Sequence, residues 1–278
     1  MNYRKKISLV FLNLFFILIC LLCLIPILYA LGVSLNSRND LLSSSFSFIP
    51  KDFTFQNYRA VLFEKPFLLW LKNSLILSFS TVVIAIAVAV PGAYALSRKR
   101  FPGRKPILNL LILLNAFPSI LSMFAVYRIL KPMGLVNNFT GLVLIYIGTM
   151  AIFGLWNMKG YFDTIPLEIE EAGKIDGADD FRLIRDIVLP LARPSIIVTA
   201  VMILIYVWNE YIFAVTFITG SEKYTLAAGL YALQATDYTR NWPIFSAASL
   251  LVSIPVLIIF FCVQRYMTSG LTAGGVKG

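Results

Sequence analysis

The first apolar segment of this chain is too long for the core of a water-soluble domain. From Ile7 to Val33 the sequence has no Asp, Glu, Lys or Arg. About 20 apolar residues in a row let a helix cross the hydrocarbon layer of a membrane. The basic residues just before it are typical of a signal peptide, but a cleavable one has an apolar region of only roughly 7–15 residues. The segment therefore predicts a retained membrane span.

Five further apolar runs follow along the chain, and the composition agrees with a membrane protein. Of the 278 residues, 59% are hydrophobic and 14% are charged, whereas soluble domains have roughly 45–50% and about 25%. We expect an all-α membrane protein with six transmembrane helices in a single domain over residues 1–278. The expected spans are 7–33, 67–96, 106–130, 135–158, 194–218 and 243–266.

The positions of Lys and Arg predict the orientation in the membrane. They concentrate in alternate connections, most densely in "SRKRFPGRK" (97–105) and in the segment 159–193. Lys and Arg are enriched in cytoplasmic loops, and short loops follow this rule best. We therefore expect both termini and the segment 159–193 in the cytoplasm. This topology accounts for the net charge of +10, so no nucleic-acid partner is expected.

The most polar stretch, "EEAGKIDGADD" (170–180), lies inside that cytoplasmic segment. Acids near its start predict a helix, and Gly177 predicts the end of that helix, because glycine adopts the left-handed conformation at low cost. A second helix is expected to follow and to end at Pro190 and Pro194, before the fifth span. Asp176 is expected to cap the turn or the second helix by accepting backbone N–H groups.

Two interpretations of this helix-turn-helix remain open from the pattern alone. Ala172 and Gly173 leave a small-residue surface that another backbone can approach, and Glu171 offers an anion to a basic partner. The segment would then dock on another protein. Periodicity equally allows an amphipathic hairpin packed on its own bundle.

The same residues resemble the EAA loop of permeases of ATP-driven (ABC) importers. In that loop Glu-Ala-Ala, Asp-Gly-Ala and a later Leu-Pro recur at fixed spacing, and here Gly173 stands where the third position is usually Ala. The segments "FIPKDFTFQNYRAVL", "WNEYIFAV" and "QRYMTSGLTAGGVKG" are similar to the smaller membrane subunit of maltose-type sugar importers. The resemblance therefore covers nearly the whole chain.

This resemblance implies an ABC type I importer permease fold and a role as half of the translocation pathway for a carbohydrate. It implies four partners besides the lipid bilayer: a second, related permease, a cytoplasmic ATPase dimer, an extracellular solute-binding lipoprotein and the sugar. The residues that would couple to the ATPase are Glu171, Ala172, Gly173, Asp176, Gly177 and Ala178, and those of the tail that would contact it are Gly274, Gly275 and Lys277.

No residues point to catalysis, a cofactor or a metal. The pair Gly173-Lys174 lacks the upstream glycine of a phosphate-binding loop, so ATP hydrolysis is expected in another chain and this one is not expected to be an enzyme. The sequence has no His. Its three cysteines, Cys20, Cys23 and Cys262, lie in expected spans, where a free Cys acts as a small apolar residue.

Glu210 lies within the fifth expected span, and an acid inside a membrane normally faces a cavity or a partner. Trp208, Asn209 and Tyr211 beside it have the aromatic faces and hydrogen-bonding groups that suit a sugar path. The alternative is a structural pair with Arg or Asn at a subunit interface.

A stripe of small residues in the second span, Ala85, Ala89 and Ala93, predicts close helix packing, which we assign to the partner permease.

Two other functional classes remain as alternatives. A secondary transporter driven by an ion gradient would have inverted repeats, broken helices and several acids at the membrane midplane, whereas this chain has one clear acid there. A membrane anchor or receptor without transport would not need a segment like 170–180.

Overall fold

The computed structural model describes residues 3–39, 49–50, 52–234 and 241–273, and these are almost entirely helical. An isolated antiparallel bridge pairs Asn36 with Phe53. The apolar runs form helices because a helix satisfies its own backbone N–H and C=O groups, which no water can do inside a membrane. The expected all-α class is confirmed.

Twelve α-helices are present among the described residues. In chain order they are α1 (Tyr3–Ser34), α2 (Gln56–Arg59), α3 (Phe67–Arg98), α4 (Arg104–Ala116), α5 (Met123–Leu130), α6 (Phe139–Phe162), α7 (Leu167–Ile175), α8 (Asp180–Arg182), α9 (Leu189–Asn209), α10 (Ile212–Phe217), α11 (Leu226–Leu233) and α12 (Trp242–Ala273). Shorter turns are π-helical over Ala60–Glu64 and Leu183–Val188 and 3₁₀-helical over Ser119–Ser122 and Ser221–Lys223.

Five of the described helices are long and apolar enough to cross a membrane, and the number is six if one bent pair of helices is counted as a single span. The expected span 106–130 is this bent pair: α4 ends at Ala116, and the helical residues Ser119–Leu130 continue at 89° to it. The break has a local cause. Phe117 precedes Pro118 and has the extended backbone (φ −74°, ψ 127°) to which a following proline confines a residue.

The fifth expected span also has different ends. The helix is continuous from Asp180 to Asn209, so the expectation that Pro190 and Pro194 separate the second polar helix from the span is wrong. The π-helical turns over Leu183–Val188 lie directly before Pro190. A proline ring meets the carbonyl of the residue four positions earlier, and here that residue lies in the wider π-helical turns.

The chain divides into two compact units, one of Met1–Leu68 with Gly229–Ile254 and the other of Leu69–Ala228 with Pro255–Gly278. In the first unit, Asn57 ties the end of α1 to α2, because its Nδ2 donates to the carbonyl oxygens of Ser34 at 2.9 Å and Asn36 at 2.8 Å. The expectation of a single domain stays a prediction.

The core of the second unit lies among α3, α6, α9 and α10. Its largest fully buried side chains include Tyr146, Ile203 and Phe217. A second apolar cluster, which includes Met158, Phe162 and Leu183, joins the end of α6 to the segment that follows it. This second cluster positions the polar residues 163–188 against the bundle.

The alanine stripe on α3 packs inside this unit and not on a partner. Ala85, Ala89 and Ala93 are each 0% exposed within the chain. A Cβ added at Gly154 of α6 would lie only 3.1 Å from the Ala89 Cβ. The assignment of this stripe to the partner permease is therefore wrong: it lets α3 approach α6 of the same chain.

We expect Gly154→Val to lower the free energy of unfolding by about 1–3 kcal/mol, the usual cost of overpacking a core. The control is Gly148→Val, also on α6, where an added Cβ would meet nothing within 4 Å. Thermal unfolding of the purified protein in detergent measures both variants. Equal stability of the two would contradict close α3–α6 packing.

Candidate functional site

The polar hairpin, residues 163–188, consists of α7, a turn and the start of the next helix. Gly177 has φ +86° and ends α7 as predicted. Its N–H donates to the Lys174 carbonyl at 3.1 Å, and the N–H of Ala178 donates to the Gly173 carbonyl at 3.0 Å. This pair of bonds is the Schellman motif, which satisfies carbonyl groups at a helix end.

The second helix of the hairpin is capped by Asp179. Its Oδ1 accepts the N–H of Arg182 at 2.7 Å, as an N-cap aspartate does. Asp176 is the C-cap residue of α7, and its backbone N–H donates to the Ala172 carbonyl at 3.0 Å. The expectation that the Asp176 side chain caps the turn or the second helix is wrong.

Glu170 fastens the inner face of α7 to the end of α3. The Arg98 Nε lies 2.6 Å from the Glu170 Oε1, and both side chains are only 8% exposed. The hydroxyl of Tyr94 donates to the Glu170 Oε2 at 3.0 Å, and the Arg98 Nη2 donates to the Ile165 carbonyl at 2.8 Å. Sequence reasoning missed this pair. The available signal was the three-residue spacing of Glu170 and Gly173, which puts both on one helix face.

Gly173 also faces inward. A Cβ at this position would lie 2.5 Å from the Ile187 Cδ1 and 3.0 Å from the Leu183 Cδ1. The absence of a side chain therefore lets α7 approach the π-helical residues of its own chain. The expected outward surface shared by Ala172 and Gly173 is wrong, because only Ala172 is exposed. An alanine here, as in the usual EAA pattern, would require the ends of the Ile187 and Leu183 side chains to shift.

The outer face of the polar hairpin is open and combines an acid with apolar side chains. Glu171 is exposed, and none of the described residues donates a hydrogen bond to it. Ile175, one turn further along α7, is 86% exposed, and Phe181, in the first turn of the second helix, is 69% exposed. An exposed apolar patch with a charged rim is typical of a surface that binds another protein. The hairpin thus has one face bound to its own bundle and one face available to a partner.

A second polar contact holds the start of the hairpin. The Asp163 carboxylate accepts hydrogen bonds from the Ser97 hydroxyl and the Lys159 ammonium, each at 2.6 Å. Partial burial opposes its charge, but these two bonds keep the pKa of Asp163 below its ordinary value. Asp163 therefore stays ionised at neutral pH and keeps the end of α6 next to α3.

Glu210 lies at a break between α9 and α10. It has extended backbone (φ −71°, ψ 122°), so α9 stops at Asn209 and the span does not continue to 218 as one helix. Its carboxylate accepts the N–H groups of Phe213 at 2.9 Å and Ala214 at 3.3 Å and the hydroxyl of Tyr146 at 2.5 Å. The described hydrogen-bond partners of Glu210 are thus inside the chain, and the alternative of a pair with Arg or Asn at a subunit interface stays a prediction.

A cleft of about 400 Å³ opens beside this break. It joins the break at Glu210 to the break before α5. The lining residues are Ser119, Ile120, Ile205, Tyr206, Asn209, Glu210, Tyr211, Ile212 and Phe213. Of the four residues predicted for a sugar path, Asn209, Glu210 and Tyr211 line it. Trp208 is 2% exposed and packs in the core.

Two further predictions concern the C-terminal tail and metal binding. Gly274, Gly275 and Lys277 of the tail lie outside the described residues. Among the described residues, no group of His, Cys, Asp or Glu has the arrangement of a metal site.

Breaks in two spans beside a common cleft are typical of membrane transporters, and a polar hairpin with one open face suits a transporter subunit that binds another protein. Comparison with known proteins agrees. The chain belongs to the family of the binding-protein-dependent transport system inner membrane component, which matches residues 81–272. This membership supports an ABC importer permease over an ion-gradient transporter, an anchor or a receptor.

Its relatives include permeases of several sugar systems. The galactooligosaccharides transport system permease protein GanQ of Bacillus subtilis is 35% identical over 100% of this chain and 99% of its own. The maltose/maltodextrin permease MalG of Salmonella typhimurium is 31% identical over 99% and 97%. A subunit of a bacterial ABC transporter involved in importing the acidic polysaccharide alginate, solved by crystallography, superposes with a TM-score of 0.77 at 26% identity, covering 96% of this chain and 98% of its own.

Proposed function

We propose that this chain is one of two permease subunits of an ATP-driven carbohydrate importer, with the polar hairpin as the docking site of the ATPase. The observation that carries the proposal is the division of the hairpin into two faces. Glu170 and Gly173 bind it to the bundle, so the hairpin is held rigidly. Glu171, Ala172 and the exposed Ile175 remain for a partner.

The partners follow from the family and from the relatives described above. A second, related permease completes the pathway, an ATPase dimer hydrolyses ATP in the cytoplasm, and an extracellular solute-binding lipoprotein delivers the sugar. Gly177 and Ala178 contribute to docking through the turn that their backbone forms. The tail residues Gly274, Gly275 and Lys277 are a second contact with the ATPase.

An oligosaccharide is the proposed cargo, because relatives of this chain are permeases of galactooligosaccharide and maltodextrin transport systems. Exposed Asn209 and Tyr211 offer an amide and an aromatic face to sugar hydroxyl groups and ring C–H groups in the cleft beside α10. Glu210 acts there as a structural cap, since its carboxylate is already used by Tyr146 and the α10 backbone.

Asn209→Ala is expected to change the relative uptake of different sugars while the protein remains folded. The Asn209 side chain donates to a carbonyl of its own helix, so its loss costs little structure. Glu210→Ala is the contrasting variant: it leaves two backbone N–H groups and a tyrosine hydroxyl without an acceptor, at about 1–3 kcal/mol for each unsatisfied buried group. Uptake of a sugar panel and thermal unfolding distinguish the two. An unchanged sugar preference in Asn209→Ala would remove Asn209 from the path.

In the proposed orientation, both termini and the polar hairpin face the cytoplasm. A cysteine at Asp176 and one at Glu222 should then react with a membrane-impermeant maleimide from opposite sides. Labelling of both from the same side would contradict it.

The function itself is tested by uptake of labelled oligosaccharides into vesicles that contain this chain, a second permease, the ATPase and the binding protein. Uptake should require ATP, the ATPase and the second permease. Uptake that continues without ATP and stops with an ionophore would instead identify a transporter driven by an ion gradient. Uptake without the second permease would contradict the proposed pair.

A further inference from the structure

The α3 helix is hydrogen-bonded to the polar hairpin at one end. Arg98 and Tyr94 hold Glu170 of α7, as described above. One residue further along, the Lys99 Nζ lies 3.1 Å from the Asp180 carboxylate at the start of the hairpin's second helix. The last turns of α3 and the residue that follows them therefore contact both helices of the hairpin.

The opposite end of α3 is hydrogen-bonded to the loop between α10 and α11. The Trp70 Nε1 donates to the Ser221 carbonyl at 2.8 Å. The Asn73 Nδ2 donates to the carbonyl oxygens of Glu222 at 3.0 Å and Tyr224 at 2.9 Å. We call residues 219–225 the outer loop. It thus rests on the first turns of α3.

Between these ends α3 is packed along its length. Leu77, Thr81 and Ala85 continue the buried stripe from Asn73 to Ala93. Pro91 removes one backbone bond from the helix, but a Cβ added at the neighbouring Gly92 would lie 3.1 Å from the Leu155 Cδ1. Close packing on α6 thus supports α3 where its backbone is weakest. From Asn73 to Arg98 the helix extends roughly 37 Å at 1.5 Å per residue.

Two other routes join the hairpin to the outer loop: a covalent one through α9 and α10, and one through α6 that ends in hydrogen bonds. The route through α9 is interrupted at Glu210, where the helix stops and a new one begins. The route through α6 is covalent from the hairpin as far as Asn137, which contacts the outer loop by hydrogen bonds: its Oδ1 accepts the Thr219 N–H at 3.1 Å, and its carbonyl oxygen accepts from the Lys223 Nζ at 3.0 Å. α3 is therefore the continuous helix that contacts both structures by side-chain hydrogen bonds alone.

We infer that α3 is a strut that transmits the state of the ATPase from the polar hairpin to the outer loop on the other face of the membrane. Glu170 and Arg98 form its inner joint, and Asn73 forms its outer joint. These are positioning residues: none has to touch ATP or sugar. The inference rests on the proposed docking of the ATPase at the hairpin and adds the path by which that docking acts at a distance.

The test places a reporter in the outer loop and changes the joints. Ser221→Cys, in a background with Cys20, Cys23 and Cys262 changed to Ala, gives one exposed thiol, because only the backbone carbonyl of Ser221 is used by Trp70. In the assembled complex in vesicles, the rate of labelling by an impermeant maleimide is measured with and without ATP and vanadate. Sugar imported per ATP hydrolysed is measured on the same preparations.

Three variants break the joints: Glu170→Gln, Arg98→Lys and Asn73→Leu. Lys keeps the charge but lacks the guanidinium fork, so it cannot hold Glu170 and the Ile165 carbonyl together. The control is Asn157→Leu, which removes a hydrogen bond between α6 and α9, to the Thr199 hydroxyl at 2.6 Å, and leaves α3 untouched.

We expect each joint variant to assemble with the ATPase, to lose the ATP-dependent change in labelling, and to import roughly 2- to 30-fold less sugar per ATP. The control should behave as the reporter parent does. A labelling change that persists in Glu170→Gln and Arg98→Lys would overturn the strut and leave α6 as the transmitting helix. Failure of both of these variants to assemble would also overturn it, because the pair would then serve folding alone.

If the proposed function is wrong, the same experiment gives a result that differs from the one expected when only the strut is wrong. The reporter parent would then show no ATP-dependent labelling and no copurification with the ATPase, before any joint is changed.

Discussion

Replacing Glu171 by Ala is expected to weaken binding of the ATPase by about 2–5 kcal/mol, a loss of at least roughly 30-fold in affinity. The carboxylate is exposed, and no described residue of the chain bonds to it, so its removal leaves the fold of the hairpin intact. A basic group of the ATPase would lose its buried partner, which is the source of the large cost. Copurification and titration of the permease complex in nanodiscs with the ATPase measure the effect.

The matched control for this prediction is Asp186→Ala. Asp186 is an exposed acid of the same hairpin, paired with the neighbouring Arg185, so its removal changes the net charge by the same amount. An equal loss of affinity in both variants would reduce Glu171 to a general electrostatic contribution. Unchanged affinity in Glu171→Ala would remove it from the docking surface.

Gly177→Val is expected to separate ATP hydrolysis from sugar uptake. The glycine has φ +86°, where an L-residue costs about 1–2 kcal/mol and a β-branched one is a clear outlier. An added Cβ would meet nothing within 4 Å, so the effect comes from the backbone alone. The turn would open, and this would change the position of Glu171 relative to the second helix of the hairpin. Uptake and ATPase activity, measured side by side in vesicles, report the loss.

Gly177→Asn is the matched control, because asparagine is the residue other than glycine that most readily takes the left-handed conformation at a helix end. It should keep most of the uptake while Gly177→Val does not. Full uptake in the valine variant would show that the geometry of this turn is not needed for coupling.

The sequence located the membrane spans well where only length and hydrophobicity matter. α1, α3, α6 and α12 lie close to the expected spans, because about 20 apolar residues must form a helix in a membrane regardless of their neighbours. The breaks at Pro118 and Glu210 were not expected. Hydropathy averages over such residues, whereas a proline and a carboxylate act on individual backbone groups.

The α7 helix of the polar hairpin also has one feature that the sequence predicts and one that it does not. The pattern predicted the role of Gly177 in ending α7, since a positive φ is a local property of the chain. It assigned Glu171 to a partner but gave no role to Glu170. One carboxylate is buried against Arg98 and the next is exposed, and this difference depends on where α7 lies relative to α3.

The sequence alone therefore determined the membrane class, the helical content and the presence of a hairpin with a glycine turn. These follow from backbone hydrogen bonding, hydrophobicity and φ preferences, which act within a few residues. Only the tertiary structure decided that the alanine stripe packs on Gly154, that Gly173 packs on Ile187, and that Glu210 bonds to Tyr146. Each of these contacts joins residues far apart in the chain, and no local pattern specifies which distant side chain will fill a given space.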